Sequence, residues 1–409
     1  MRPHASQRLS PFGECLAAET ETIARQSLRD VTTSRTINAA PIGGAKAFAL
    51  IMAVSVVTLA MLALRTPDAF LHPQFWAEDA TVFWLQQAEH GSLTAIGTAY
   101  AGYLHAAPRL TAALATLFDA AYAPRIYAAA AIAITIWSAA TAASCVPDRR
   151  LGFLLGISLL LPPMAGGEIF GNITNVQWLM APTLALLLAA PSSVNRVVFA
   201  AVAGLTGPFS VFLAPFAIVR LIRSRDAVAA VILLTAVVQA CVMVSSPHPP
   251  IAANPTNAAH LLFVLGTRTF SESKLAALLG AGVLIYSLFW SGHRWLRLCI
   301  LGLSVAVLAG AFHRFHSTPN VLDVEQNGPR YFFIPRVALI WCAMTLLFKG
   351  DVKAALVAVT FIAASIAPAR GAFVKPAQPD QHWAERMRAG EARIPILPDG
   401  WFVSVPRPQ

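Results

Sequence analysis

The sequence is poor in charged residues. Asp, Glu, Lys and Arg make up 12% of its 409 residues, whereas a soluble domain averages about 25%. Hydrophobic residues make up 56% of the chain, and the mean hydropathy is +0.61. This composition excludes an ordinary soluble globular protein and predicts a polytopic membrane protein.

Several catalytic and metal-binding motifs are also missing. The chain has no Walker A loop, no GxSxG, no HExxH and no Cys/His ligand spacing, so neither ATP-driven transport nor metalloprotease chemistry is supported. Its five cysteines form no CxxC pattern, and we expect neither a disulfide framework nor a zinc site. The cysteines are Cys15, Cys145, Cys241, Cys299 and Cys342.

The charge that is present is mostly basic. The formal net charge is +10, and a basic balance can indicate nucleic-acid binding. Here, however, the basic residues lie mostly in short clusters between apolar runs, such as Arg149 with Arg150. This is the positive-inside pattern of membrane proteins, so we expect a lipid bilayer and no nucleic acid as partner.

Three segments follow from the distribution of apolar and polar residues. Residues 1–45 are polar and mixed in charge, which predicts a flexible cytoplasmic tail. Residues 46–368 predict an all-α membrane domain of about eleven transmembrane helices, with 65–125 as its first extracytoplasmic loop. Residues 369–409 predict a short extracytoplasmic tail.

The predicted helices place the basic turns on one side of the membrane and the polar loops on the other, with the N-terminus cytoplasmic and the C-terminus outside. Residues 197–222 are interpreted as a broken hairpin of two short helices around Gly204–Pro208. The alternative, one span, would put Arg196 and Arg220 on opposite sides. The predicted membrane segments lie at about 46–64, 126–146, 151–165, 176–190, 197–222, 227–245, 275–290, 298–312, 337–348 and 354–367.

The first extracytoplasmic loop contains two further helical patterns. Residues 79–90 place their apolar side chains near one helical face, and Gly91 is a stop signal. Residues 108–121 start with Pro108 and predict a second short helix. Both are typical of helices that lie at the membrane surface.

The first of these helices begins with an acid pair, Glu78 and Asp79. Such acids cap helices, because the macrodipole favours negative charge in the first turn. A carboxylate at the membrane–water boundary can also take a proton from a hydroxyl group. The two roles are compatible, since a cap also fixes the direction of the carboxylate.

Other polar residues of the outer loops have two interpretations each. Tyr100 and Tyr103 are interface anchors or ligand contacts, whereas Arg109, which follows Pro108 at a helix start, is suited to a phosphate. The polar residues of 166–177 either bind sugar hydroxyls or have an ordinary structural role in the loop. The candidates for sugar binding are Glu168, Asn172 and Asn175. Arg330, before a predicted span, needs an anionic partner, and the candidates are Asp323, Glu325 or a lipid phosphate.

These landmarks resemble those of the GT-C superfamily of integral-membrane glycosyltransferases. The acidic motif in the first extracytoplasmic loop is Glu78–Asp79. The resemblance covers residues 46–409. The strings FWAEDATVFWLQQAEHG, AYAGYLHAAPRL, GNITNVQW, GLTGPF and NGPRYFFIP also resemble a group of bacterial membrane proteins, which implies the bacterial inner (plasma) membrane.

The resemblance implies transfer of a sugar from a polyprenyl-phosphate donor to a glycan, lipid or protein acceptor on the extracytoplasmic side, with inversion. Asp79 is then the general base and Glu78 its partner. No metal or other cofactor is obligatory, although a divalent metal is compatible with the superfamily. The implied donor-binding residues are Arg109, Arg330, His105, Tyr331 and Tyr103, and the implied sugar- or acceptor-binding residues are Glu168, Asn172 and Asn175.

Two other functions fit a membrane protein of this kind. A transporter or flippase of lipid-linked saccharides would suit the interrupted helix near Gly204. Few polar residues lie at mid-span, however, and this counts against transport. A non-catalytic assembly subunit would tolerate alanine at Glu78, Asp79, Arg109 and Arg330.

Overall fold

The computed structural model describes residues 44–163, 168–247, 258–270, 274–315, 322, 328–371, 373 and 378–405. The described chain is helical, with one two-stranded antiparallel sheet near its end. The α-helices are α1 Gly44–Arg65, α2 Asp68–Leu71, α3 Leu85–Gly97, α4 Ala106–Ala115, α5 Ala123–Ser144, α6 Arg149–Ser158, α7 Val176–Leu187, α8 Val194–Gly204, α9 Phe209–Ser224, α10 Ala227–Ser245, α11 Ala258–Phe270, α12 Lys274–Phe289, α13 Arg294–Phe315, α14 Arg330–Lys349, α15 Val352–Gly371 and α16 Trp383–Arg388. A π-helix Asp79–Trp84 precedes α3, a 3-10 turn Ala120–Tyr122 precedes α5, and the strands are β1 Arg393–Ile396 and β2 Trp401–Ser404.

The chain divides into two compact units, Met1–Ala47 and Phe48–Gln409. The predicted cytoplasmic tail, 1–45, lies outside the described residues except for its last two. The predicted C-terminal tail belongs to the second unit, and its described part contains α16 and the sheet. The all-α prediction missed this sheet.

Among the described residues, five helical segments are long and apolar enough to cross a membrane. A sixth crossing results if Ala259–Phe270 and Lys274–Phe289, which meet at 86°, count as one bent span. The protein is therefore a helical membrane protein, but the predicted count of about eleven spans is not confirmed. The five segments are Gly44–Arg65, Ala120–Ser144, Ala227–Ser245, Arg294–Phe315 and Arg330–Phe348.

The bounds of several helices agree with the prediction, and others differ. The span at 227–245 is found as predicted, and the expected break after Gly204 separates α8 from α9. The helix predicted at 151–165 ends at Ser158, and the one predicted from 337 begins at Arg330. Arg330 is therefore the first residue of a helix rather than part of a preceding loop.

Helix α7 occupies the centre of the bundle. All twelve of its residues are buried, and it packs against α5, α8, α13 and α14. Its sequence is apolar on nearly every side, and its polar members are Gln177 in the first turn and Thr183 in the second half. A helix that is apolar all round is expected to be surrounded by other helices.

The close contact of α5 with α6 depends on small residues. Gly152 and Gly156 of α6 lie so near the backbones of Ala143 and Ala139 that a Cβ atom at either glycine would collide with a carbonyl oxygen. The spacing Gly-x-x-x-Gly places both glycines on one side of α6. The two helices therefore approach each other backbone to backbone.

Arginine side chains donate hydrogen bonds to carbonyl groups that helix ends leave without partners. Arg220 donates to Leu187 O at 2.8 Å and also to Ala190 O at the end of α7. Arg297 donates to Ser287 O at 3.0 Å and to Trp290 O at the end of α12. A cation near a helix C-terminus is favoured by the macrodipole, so these arginines stabilise the bundle as well as marking its basic turns.

Candidate active site

The acid pair lies where the chain turns into the π-helix. Ala77 has a positive φ of 34°, and its N–H donates to Leu397 O at 2.5 Å. Leu397 N in turn donates to Phe75 O at 3.0 Å. Because these two bonds hold the backbone on the N-terminal side of Glu78, the position of the acid pair depends on the C-terminal segment.

Asp79 is buried and held by the loop before α7. One carboxylate oxygen, Oδ1, accepts hydrogen bonds from Thr174 N at 2.9 Å and from Thr174 Oγ1 at 2.5 Å. The other, Oδ2, accepts a long bond from Trp76 N at 3.4 Å. Burial raises the pKa of the Asp79 carboxyl to about 7, although the Thr174 hydrogen bonds oppose the shift. Asp79 thus joins the loop that follows α1 to residues 168–175.

Glu78 is half-buried, and it has different neighbours. The Tyr100 hydroxyl donates to Glu78 Oε1 at 3.3 Å. Burial, together with the nearby Glu78 carboxylate, raises the pKa of the Tyr100 hydroxyl, so Tyr100 remains a hydrogen-bond donor at neutral pH. Of the two acids, Glu78 is therefore the one with a carboxylate that is accessible to a ligand.

Arg330 and Glu168 form an ion pair beside Glu78. Arg330 Nη1 donates to Glu168 Oε1, and the side chain of Arg330 is 31% exposed whereas that of Glu168 is 8% exposed. The guanidinium also lies 5.5 Å from the centre of the Tyr331 ring. Both Arg330 and Glu78 act electrostatically on Tyr103 and on Glu168.

Six side chains thus form one group, which we call the polar cluster. It combines two carboxylates, a guanidinium and three phenols at the N-terminal end of α14. Glu168 comes from the loop before α7, and the other members come from residues 65–125 and from α14. The members are Glu78, Tyr100, Tyr103, Glu168, Arg330 and Tyr331.

The anion that pairs with Arg330 in the structure is not one that the sequence predicted. Asp323 and Glu325 lie outside the described residues. The described anion that pairs with Arg330 is Glu168, which the sequence prediction had assigned to sugar or acceptor binding. An ion pair between residues 162 positions apart could not be read from sequence spacing.

His105 and Arg109 lie behind the polar cluster. His105 is buried and packs against Tyr103, with ring centres 4.6 Å apart. Burial and the charge of Arg109 lower the pKa of His105 to about 3, so its imidazole is neutral. Neither ring nitrogen has a hydrogen-bond partner among the described residues. In this structure His105 is therefore a neutral ring that packs behind the polar cluster.

Arg109 is fully buried, with no exposed surface. Its Nη2 donates to Gln86 Oε1 at 2.6 Å and to Thr98 O at 3.1 Å, and its guanidinium lies 4.9 Å from the centre of the Phe83 ring. These contacts tie α4 to the π-helix and to α3. The structure does not bring Arg109 into the polar cluster with Arg330, although the sequence prediction places both on one phosphate.

The two predicted sugar-binding asparagines are engaged by the loop itself. Asn172 Nδ2 donates to Glu168 O at 2.7 Å, and Asn175 Nδ2 donates to the same oxygen at 2.6 Å. Asn175 N donates to Asn172 Oδ1 at 3.0 Å. Both side chains are buried, so they shape the loop that presents Glu168 and Thr174.

The C-terminal segment packs over the loop that follows α1, which no sequence pattern had indicated. Trp383 is buried against Phe75 and Trp84, with ring centres 4.7 and 5.3 Å away, and its Nε1 donates to Ala120 O at 2.9 Å. Gln74 exchanges two hydrogen bonds with the backbone of this segment. The residues that hold the acid pair therefore come from both ends of the described unit.

An apolar pocket of about 90 Å³ lies farther along α14. It lies between α11, α14 and α15, and it is almost entirely apolar apart from Thr269, Arg336 and Ser365. Arg336 is buried and donates to Arg268 O at 3.1 Å and to Pro163 O. The lining of this pocket suits a small apolar group.

No group of three His, Cys, Asp or Glu residues that could hold a metal ion occurs in the part of the chain that the structure describes. The chain matches no family model, no curated protein and no solved structure at a significant level. Its function therefore has to be inferred from the geometry of the polar cluster.

Proposed function

We propose that the protein is a GT-C-type membrane glycosyltransferase that moves a sugar from a polyprenyl-phosphate donor to an acceptor hydroxyl at the extracytoplasmic face. The observation that carries the proposal is the polar cluster, where the half-buried carboxylate of Glu78 and the partly exposed guanidinium of Arg330 lie together. One is a group that can accept a proton and the other is a group that can bind a phosphate. The transfer chemistry needs both.

The reaction is a direct displacement with inversion. The acceptor oxygen attacks the anomeric carbon while the bond from that carbon to the phosphate oxygen breaks and its electron pair stays on the phosphate. The acceptor proton passes to the Glu78 carboxylate. Arg330 offsets the charge that develops on the leaving phosphate through charge-assisted hydrogen bonds, so no protein acid has to protonate the leaving group.

The geometry favours an exchange of the roles predicted for the acid pair. Asp79 has both carboxylate oxygens occupied by Thr174 and Trp76, and its side chain is buried. Glu78 is the less buried member, and its described hydrogen bond comes from a phenol. In this proposal Glu78 is the base, and Asp79 positions it by anchoring the start of the π-helix.

The apolar pocket supports a lipid-linked donor. It adjoins the same helix that carries Arg330, and its apolar lining can contact part of the lipid chain. The membrane topology that completes the proposal puts the polar cluster outside the cytoplasm, in the inner (plasma) membrane of a bacterium. The acceptor is a glycan, lipid or protein that approaches from the aqueous side.

The test is release of free polyprenyl phosphate from a panel of polyprenyl-phosphate sugars by the purified protein in nanodiscs. We expect release by the wild type and at least a 100-fold slower rate in Glu78→Gln and in Arg330→Gln, since each loses a group that acts in the transition state. Asp79→Asn should retain more activity than Glu78→Gln.

Exposed residues of the same loop and of another span provide matched controls. Glu89→Gln and Arg125→Gln change the charge by the same amount at positions outside the polar cluster, and we expect wild-type rates for both. Equal rates for Glu78→Gln and Glu89→Gln would contradict the role of Glu78. Failure of the wild type to release phosphate from any donor, with or without an acceptor extract, would contradict the glycosyltransferase proposal.

A further inference from the structure

Three polar atoms beside the polar cluster are buried and have no hydrogen-bond partner among the described residues. They are Glu168 Oε2, Gln177 Oε1 and Trp178 Nε1. Glu168 belongs to the loop before α7, and Gln177 and Trp178 belong to the first turn of α7. A buried polar atom without a partner costs roughly 1–3 kcal/mol, and such atoms are rare in native proteins. Their concentration here indicates a binding partner that the protein chain does not supply.

Aromatic side chains connect these atoms to the polar cluster. The Trp178 ring lies 5.3 Å from Tyr331 and 5.2 Å from Phe209, in edge-to-face arrangements. The Gln177 side chain also lies beside the Tyr103 side chain. Tyr103 and Tyr331 are partly exposed whereas Gln177 and Trp178 are buried, so the two tyrosines are the accessible neighbours of the unpartnered atoms.

The set of unpartnered atoms matches the hydroxyl groups of a sugar. Glu168 Oε2 and Gln177 Oε1 accept hydrogen bonds, and Trp178 Nε1 donates one. A hydroxyl group can both donate and accept, so adjacent hydroxyls satisfy acceptors and a donor together. The edges and faces of the aromatic rings contact the C–H groups of a sugar ring, and the Glu168 carboxylate repels a second carboxylate placed against its unpartnered oxygen.

We propose that Glu168, Gln177 and Trp178 form the subsite that recognises the donor sugar, and that this subsite selects a neutral hexose with free hydroxyls over a uronic acid. The inference rests on the proposed glycosyltransferase function and names the substrate class of the same site. In this inference the subsite takes over the sugar binding that the sequence analysis assigned to Asn172 and Asn175, because the side-chain amides of these two residues already donate to Glu168 O.

The mechanism of selection is the satisfaction of buried groups. On binding, Tyr103 and Tyr331 rotate away, and the sugar hydroxyls form hydrogen bonds with the three unpartnered atoms. A deoxy sugar leaves one of these atoms unpaired, and sites of this kind reject such analogues strongly. A uronic acid brings its carboxylate towards Glu168, so like charges oppose its binding.

The experiment measures binding of short-chain polyprenyl-phosphate sugars to the purified protein without an acceptor. The panel contains glucose, mannose and galactose donors, the monodeoxy analogues of the preferred one, and its uronic acid. Wild type should bind one hexose donor at least 10-fold more tightly than a deoxy analogue and than the uronic acid. Trp178→Phe should weaken binding of the hexose about 10-fold and should abolish the penalty for the deoxy analogue that lacks the partner of Nε1.

Two further variants separate a recognition role from a packing role. Gln177→Leu should remove the penalty for a different deoxy analogue, and Glu168→Gln should reduce discrimination against the uronic acid at least 10-fold. Trp137→Phe is the matched control, because its Nε1 bonds to Asn195 Oδ1 on another side of the bundle. We expect it to keep the wild-type profile.

The possible outcomes distinguish this inference from the proposed function. If a hexose donor binds and releases phosphate while Trp178→Phe and Gln177→Leu keep the wild-type deoxy profile, the subsite is refuted and the function stands. If wild type binds the uronic acid as tightly as the hexose, the charge argument is refuted. If no donor binds to the folded wild type, the proposed function fails and the subsite fails with it.

Discussion

Adjacent acids in one chain can have very different environments, and Glu78 and Asp79 illustrate this. Asp79 lies against Thr174, from a loop 95 residues later, whereas Glu78 lies beside Tyr100. Neighbouring residues of a helical segment point in different directions. The sequence therefore located the acid pair at a helix start, but it could not show which member is buried, because that depends on Thr174.

The environment of Asp79 predicts a pH-dependent stability. Its pKa is raised from an ordinary carboxyl value to about 7 in the folded protein. Between about pH 4 and pH 7, the native state therefore still holds a proton that the unfolded chain has already released. Stability falls as pH rises through that window and is level above it. The Asp79 contribution is at most about 4 kcal/mol, since each pKa unit corresponds to about 1.4 kcal/mol.

Asp79→Asn tests this expectation, because Asn keeps an oxygen for Thr174 N but cannot ionise. Thermal unfolding in detergent at pH 5 and at pH 8 should show a smaller difference for Asp79→Asn than for wild type. Glu89→Gln, which changes an exposed carboxyl, should keep the wild-type difference. An unchanged pH difference in Asp79→Asn would show that Asp79 is ionised in the folded protein across this range.

At the scale of elements, the apolar helices were more predictable than the segment that holds the acid pair. The span at 227–245 stands out in the sequence because it is uncharged between Asp226 and Ser246 and apolar apart from Thr235, Gln239 and Ser245. The β1–β2 hairpin has strands of only four residues, too short for a clear alternating pattern. Its stability comes from contacts with Phe75 and Ala77, about 320 residues earlier, which no local pattern reveals.

Trp383 is the residue that joins this segment to the first extracytoplasmic loop. Trp383→Ala removes its contacts with Phe75 and Trp84, and a buried Trp→Ala change costs about 3–5 kcal/mol. We expect the amide hydrogens of Ala77 and Leu397, which bond across the junction, to exchange at least 10-fold faster in hydrogen-exchange experiments.

The control for this prediction is Trp401, which lies in the β1–β2 hairpin of the same C-terminal segment. Trp401 is 43% exposed, so Trp401→Ala should leave exchange at Ala77 close to the wild-type rate. Trp383→Phe, which loses the hydrogen bond to Ala120 O but keeps a ring, should fall between them. Slow exchange at Ala77 in Trp383→Ala would mean that the junction does not depend on this side chain.

At the scale of the whole molecule, composition predicted the class of the protein reliably. Many large apolar side chains are exposed on the outer helices, such as Phe48 at 65% and Leu356 at 65%, and a bilayer is the solvent that accommodates them. The number of spans was less predictable, because short apolar helices such as α7 are buried by other helices and not by lipid.

The membrane orientation proposed for the chain can be tested by labelling single cysteines. Thr94 in α3 and Ser224 at the end of α9 are both exposed. In a background with Cys15 and Cys241 changed to Ser, Thr94→Cys should react with a membrane-impermeant maleimide in intact cells. Ser224→Cys should react only after permeabilisation. The reverse result would place the polar cluster in the cytoplasm and would exclude an extracytoplasmic transfer.

The junction between the C-terminal segment and the first extracytoplasmic loop also has a consequence for biosynthesis. Gln74 and its partner Pro379 are 305 residues apart, which a ribosome adding about 5–20 residues per second covers in roughly 15–60 s. During that interval the loop that carries Glu78 is already made, but the strand that orders its backbone does not yet exist. A nascent or prematurely terminated chain therefore lacks the contacts that hold the backbone of the acid pair in the complete protein.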